Sequence, residues 1–114
     1  MSLLKTVIHR HRPSESLVDG ITNFSFPSGH AFMSVAFYGL LAYRAAVIIK
    51  KRSQRQLFII FFILFILSIS FTRIYLRVHY TTDIIAGLSV GTAWLILSLA
   101  ALEKIQAKEI DQGK

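Results

Sequence analysis

Between two apolar segments the chain carries Thr72-Arg73-Ile74-Tyr75-Leu76-Arg77-Val78-His79-Tyr80-Thr81-Thr82-Asp83, which packs two arginines, a histidine and a carboxylate into twelve residues. His79 and Asp83 are four apart, so on a helix start or a tight turn the carboxylate can reach the imidazole. Arg73 ends a long uncharged run and lies six residues before His79. A cation beside a carboxylate-supported histidine is what nucleophilic attack on a phosphate needs. The transferred phosphoryl group spreads negative charge over its oxygens, and catalysis is mainly positioning plus charge stabilisation.

The elements that must position these residues are legible from hydropathy. The chain has 114 residues, enough for one small domain; 54% are apolar, 17% are charged, and the formal net charge is +7. The charges cluster outside long apolar runs, which points to a membrane rather than to a soluble core. A basic chain can bind nucleic acid, anionic lipid or a phosphorylated substrate. Nucleic acid fits worst, because the cations form no single stripe beside exposed aromatics. With no cysteine there is no disulfide and no thiolate metal site.

Residues 1–27 read as a polar, basic arm and loop, broken by Pro13, Gly20 and Pro27. Ser28 is a plausible N-cap for a first helix over 28–49, in which Arg44 can snorkel or face other helices. A basic loop follows, and the uncharged run from Leu57 to Thr72 predicts a second helix over 57–78, with Arg73 and Arg77 on one side. Residues 79–82 read as a turn. The uncharged run Ile84 to Leu102 predicts a third helix over 83–103, where Gly87 and Gly91 have the spacing of close helix packing. Residues 104–114 read as a charged tail. The fold class expected is therefore all-α: a transmembrane bundle of about three spanning helices plus a polar N-terminal arm.

Three spans in alternation place the start of the first helix, the end of the second and the start of the third on one membrane face. His30, Arg73, His79 and Asp83 then converge there. The opposite face carries Lys50, Lys51, Arg52, Arg55, Lys104, Lys108 and Lys114, against Lys5, Arg10, Arg12, Arg73 and Arg77 on the histidine face. By the positive-inside rule the histidine face is expected to point outward, in a plasma membrane.

Three clusters stand in order: Lys5 with Arg12-Pro13, then Pro27-Ser28-Gly29-His30, then Thr72-Arg73 with His79 and Asp83. Together they resemble the three signature motifs of the type 2 phosphatidic acid phosphatase superfamily. The resemblance implies catalysis by His79 as the nucleophile that forms a phosphohistidine, Asp83 as its partner, and His30 as general acid and then base. It implies that Lys5, Arg12 and Arg73 hold the phosphoryl oxygens, helped by the Ser28 hydroxyl and the Gly29 amide. It implies no metal and no cofactor. It further implies that the chain is part of a six-helix phosphatase domain, completed by preceding N-terminal helices or a second chain.

The chain departs from the family pattern at three positions. Thr72 stands where a serine is usual, and Thr81 or Thr82 where a proline is common. Arg77 stands where a small residue often precedes the Val-His pair; it could crowd the site, bind a further phosphate, or anchor at the interface. The function expected is metal-independent hydrolysis of a lipid phosphate or diphosphate, of the phosphatidic acid, phosphatidylglycerophosphate or undecaprenyl diphosphate type. The alternative is a non-enzymatic basic membrane segment that binds anionic headgroups or partner helices.

Overall fold

A computed structural model describes residues 7–8, 10–11, 17–18 and 24–112. Among them are three long helices: α1 (Gly29–Ile48), α2 (Arg52–Tyr75) and α3 (Thr81–Gln112). No strand occurs among the described residues. All three helices are long and apolar enough to cross a membrane. α1 lies between the other two: α2 and α3 each pack along it and barely meet one another.

Each helix begins and ends for a local reason. Ser28 caps α1 with extended backbone angles, and its Oγ accepts from the Ala31 N–H at 3.4 Å. The second helix differs from the expected 57–78 at both ends. It starts five residues earlier because Arg and Gln, four of the five added residues, are good helix formers; the basic loop winds onto the helix and leaves a short connection. It ends earlier because the chain closes a Schellman-type cap. The Arg77 N–H donates to Ile74 O at 2.9 Å, the Val78 N–H donates to Arg73 O at 3.2 Å, and Arg77 itself sits at φ 53°.

Arg77 therefore does not share a helix face with Arg73. It occupies a left-handed backbone position that glycine takes without penalty and an L-residue takes at about 1–2 kcal/mol.

α3 also exceeds its expected bounds of 83–103. It begins at Thr81 and continues to Gln112, absorbing most of the expected charged tail, which is rich in helix-forming Ala, Lys, Glu and Gln. Its 32 residues reach about 48 Å at 1.5 Å each, beyond a hydrocarbon core of ~30 Å. Tyr43 of α1 donates its hydroxyl to Glu103 near that end.

Packing on α1 depends on glycine. A Cβ at Gly87 would lie 2.5 Å from Ser28 O, and one at Gly91 2.9 Å from Phe32 O. These helices meet backbone to backbone, as small residues allow in a membrane. On the other side of α1, Tyr38 meets Phe65 edge-on at 4.8 Å between ring centroids. Burial is confined mostly to the end where the three helices converge. Ala31, Val35, Val78 and Ile84 are the buried apolar residues, alongside buried Ser25, Ser28, Ser34, Ser70, His79 and Asp83. Only 6% of the most apolar stretch of α2 is covered by protein. A helix apolar all round and so little covered is suited to lipid, not water.

Candidate active site

The site is built around the start of α3. Tyr80 precedes the helix, and its N–H donates to Asp83 Oδ2 at 2.9 Å. Asp83 thus supplies the acidic half of a capping box, reaching back over the first turn into the positive end of the helix dipole. The same oxygen lies 3.6 Å from His79 Nδ1, within ion-pair reach and longer than a hydrogen bond. Capping and histidine support are therefore one arrangement. Asp83 is 0% exposed and His79 is 4% exposed.

A fully buried carboxylate needs compensation. Its other oxygen, Oδ1, receives the Arg10 Nη1 at 3.0 Å. That nitrogen also donates to Thr82 Oγ1 at 2.7 Å, and the guanidinium carbon lies 4.4 Å from the centre of the Tyr80 ring. The Arg10 carbonyl accepts from both the Ser25 N–H at 2.9 Å and the Ser25 hydroxyl at 3.2 Å. Ser28 N–H in turn donates to the Asp83 carbonyl at 3.0 Å. The arm, the entry to α1 and the start of α3 are thereby tied together.

His30 and Arg73 meet elsewhere on the same end. They line one open groove of about 390 Å³ with Met33, Ser34, Phe37, Tyr38 and Ile69. His30, Met33, Ser34, Phe37 and Tyr38 follow the i, i+3, i+4, i+7, i+8 spacing of one helix face, so the groove runs down α1 from the histidine. Arg73 stands in the last turn of α2, where a cation suits the helix dipole. Its Nε is buried and has no hydrogen-bond partner among the described residues. A Cβ added at Gly29 would meet nothing within 4 Å, so space is open beside the first amides of α1. A helix start with open space is suited to an anion.

Of the expected site residues, His79 and Asp83 are brought together, Ser28 joins them through its backbone, and His30 and Arg73 share the groove. Ser28 is fully buried, and its hydroxyl oxygen serves the helix cap. Lys5 and Arg12 lie outside the described residues. The described residues contain no group of three His, Asp or Glu side chains placed to hold a metal ion. Arg10, Thr82 and Tyr80 were not singled out by spacing. No local signal points to them, since the burial of Asp83 that calls for a cation belongs to the folded chain.

Comparison with known proteins bears on this geometry. The model of the PAP2 superfamily matches residues 1–107. The chain is 31% identical over 106 residues to phosphatidylglycerophosphatase B of Bacillus subtilis, covering 91% of this chain and 52% of that protein. It is 32% identical over 91 residues to an undecaprenyl-diphosphatase of Sulfolobus acidocaldarius, covering 80% of this chain and 40% of the relative. A lipid A 4'-phosphatase of Bacteroides thetaiotaomicron is 31% identical over 112 residues, covering 87% and 46%. Among solved structures, a transmembrane PAP2-type phosphatidylglycerolphosphate phosphatase from Bacillus subtilis superposes with a TM-score of 0.80 at 30% identity, covering 91% of this chain and 52% of that one. The chain spans about half the length of the curated relatives it matches.

Proposed function

The chain belongs to the PAP2 superfamily and is an integral membrane protein, and from that premise we propose that it hydrolyses a lipid phosphate or diphosphate through phospho-His79. The observation that carries the substrate reading is the groove with a histidine and an arginine at its head and an apolar lining below, and the nucleophile is read from His79 beside Asp83. An amphiphile fits it with the phosphate beside His30 and Arg73 and a hydrocarbon chain against Met33, Phe37 and Ile69. The names of the relatives cover a phosphatidylglycerophosphate, an undecaprenyl diphosphate and a lipid A phosphate. What these share is a phosphate on a lipid, and that shared chemistry is the substrate class proposed.

The reaction runs in two displacements. His79 Nε2, the nitrogen remote from Asp83, attacks phosphorus in line with the lipid oxygen. The P–O bond to the lipid breaks, and His30 donates a proton to the departing oxygen. Asp83 steadies the imidazolium character that His79 acquires. His30 then takes a proton from water, which attacks phosphorus; the P–N bond breaks, and inorganic phosphate leaves with neutral His79 restored. Arg73, with Lys5 and Arg12 from the arm, offsets the charge on the phosphoryl oxygens, so the reaction proceeds without a metal ion.

The test is phosphate release from a long-chain lipid phosphate and from a water-soluble phosphomonoester, each in EDTA. Turnover of the lipid should persist in EDTA and exceed that of the soluble ester at equal concentration. Abolition by EDTA would overturn the metal-free chemistry, and a preference for the soluble ester would overturn the groove's role.

The balance of cations between the two ends supports an active site on the outer face of a plasma membrane. A cysteine at position 53, in the basic end of α2, should then resist an impermeant thiol reagent applied to intact cells. Ready labelling would reverse the orientation.

A further inference from the structure

Arg10 lies outside the roles proposed above, yet it makes the closest cation contact to the buried partner of His79 among the described residues. Its geometry is specific. One nitrogen spans Asp83 Oδ1 at 3.0 Å and Thr82 Oγ1 at 2.7 Å, and the planar head lies over Tyr80 at 4.4 Å. The carbonyl of the same residue is held by the Ser25 N–H and hydroxyl, and Ser25 is itself fully buried. Backbone and side chain of Arg10 are thus fixed separately, one to the entry of α1 and the other to the start of α3.

The two oxygens of Asp83 have divided tasks. Oδ2 faces the Tyr80 N–H and His79 Nδ1, while Oδ1 faces Arg10. A neutral His79, the form that attacks, contributes no charge to offset a buried carboxylate. Arg10 does. Without it, Oδ1 of the fully buried Asp83 loses its ion-pair partner, and the carboxylate is free to turn Oδ2 away from His79 Nδ1. That turn removes the group that orients the imidazole with Nε2 toward phosphorus.

We propose that Arg10 is a positioning residue: the counter-ion that holds Oδ1 of the buried Asp83 carboxylate and so sets its Oδ2 beside His79 Nδ1, so that His79 presents Nε2 to phosphorus. Arg10 acts through Asp83 and is distinct from the cations assigned to the phosphoryl oxygens. The inference rests on the reading of His79 as nucleophile, and its test separates the two.

Arg10→Ala and Arg10→Lys are compared with the unaltered chain, all ¹⁵N-labelled at histidine in detergent micelles. The imidazole nitrogens of His79 are assigned by their loss in His79→Gln. The unaltered chain should show Nδ1 protonated and Nε2 bare. Arg10→Ala should lose that pattern, and Arg10→Lys should recover part of it. With a long-chain lipid phosphate, Arg10→Ala should lower kcat on the order of 10²-fold, the loss expected from misplacing a reacting group, with KM near its original value. An unchanged imidazole spectrum in Arg10→Ala overturns the proposal. So does a loss confined to KM, which would make Arg10 a phosphate clamp. If Arg10→Ala does not fold, the lysine variant decides: a partial loss of kcat together with a partly lost tautomer pattern supports the proposal, whereas an unchanged spectrum with equal activity, or a change in KM alone, overturns it. Persistent turnover in His79→Ala would sink the nucleophile reading while leaving the spectrum to judge Arg10.

Discussion

Replacing His79 with alanine should lower lipid phosphate turnover by at least about 10³-fold, in line with the loss when a covalent nucleophile is removed. The loss should appear in kcat, because the nucleophile acts in the chemical step. The unaltered chain, quenched during turnover, should carry a base-stable, acid-labile phosphate, as a phosphorus–nitrogen bond requires, and the variant should carry none. His79 is buried beside Asp83, so the substitution also leaves the carboxylate facing a small void. His79→Gln keeps a polar group of similar reach and separates the chemistry from packing. Undiminished turnover in either variant would remove the phosphohistidine from the mechanism.

The second large effect is expected at Gly87. A methyl group there must move the Ser28 carbonyl, at 2.5 Å, and approaches the Ala31 Cβ at 3.0 Å. Ser28 O accepts from the Phe32 N–H, so the displaced group is part of the first turn of α1. Alanine gains about 0.8–1.0 kcal/mol over glycine in helix propensity. Overpacking costs about 1–3 kcal/mol and exceeds that gain where the neighbour is backbone. Gly87→Ala should therefore lower the melting temperature in detergent and depress activity by moving Ser28 and Gly29 away from Asp83. Gly39 provides the contrast: its one close neighbour would be the end of the Leu95 side chain, at 2.5 Å, which can turn aside, and Val35 lies at an ordinary 3.9 Å. Gly39→Ala should leave melting unchanged or raise it. Equal melting of the Gly87 and Gly39 variants would contradict close packing of α3 on α1.

Much of this protein was legible along the chain because the relevant forces are local. Apolar runs long enough to span a bilayer have no other stable use, so three helices followed from hydropathy. The caps were partly legible too: Ser28 precedes a helix, and Asp83 lies three residues after Tyr80, the spacing of a capping box. The His79–Asp83 spacing fitted a turn, and the structure places the pair in ion-pair reach. The extents of α2 and α3 were less legible. Charged residues such as Arg52 and Lys104 interrupt hydropathy but not helicity, since the backbone hydrogen bonds continue past the apolar segment.

By itself, the sequence determined the apolar cores of the three spans, the Ser28 cap and the order of the motif residues, because propensity, hydropathy and short spacings act within a few turns of chain. Tertiary structure decided what requires two distant segments at once. Arg10 and Asp83 are 73 residues apart, and nothing in the local chemistry of either names the other. Arg77 looked like a charge beside a phosphate site, yet its place is set by the left-handed turn that ends α2. Gly87 looked like half of a common spacing, yet its importance comes from the carbonyl of Ser28 against which it rests. Burial, backbone contact and the compensation of a buried charge are properties of the assembled helices, and only the assembled helices reveal them.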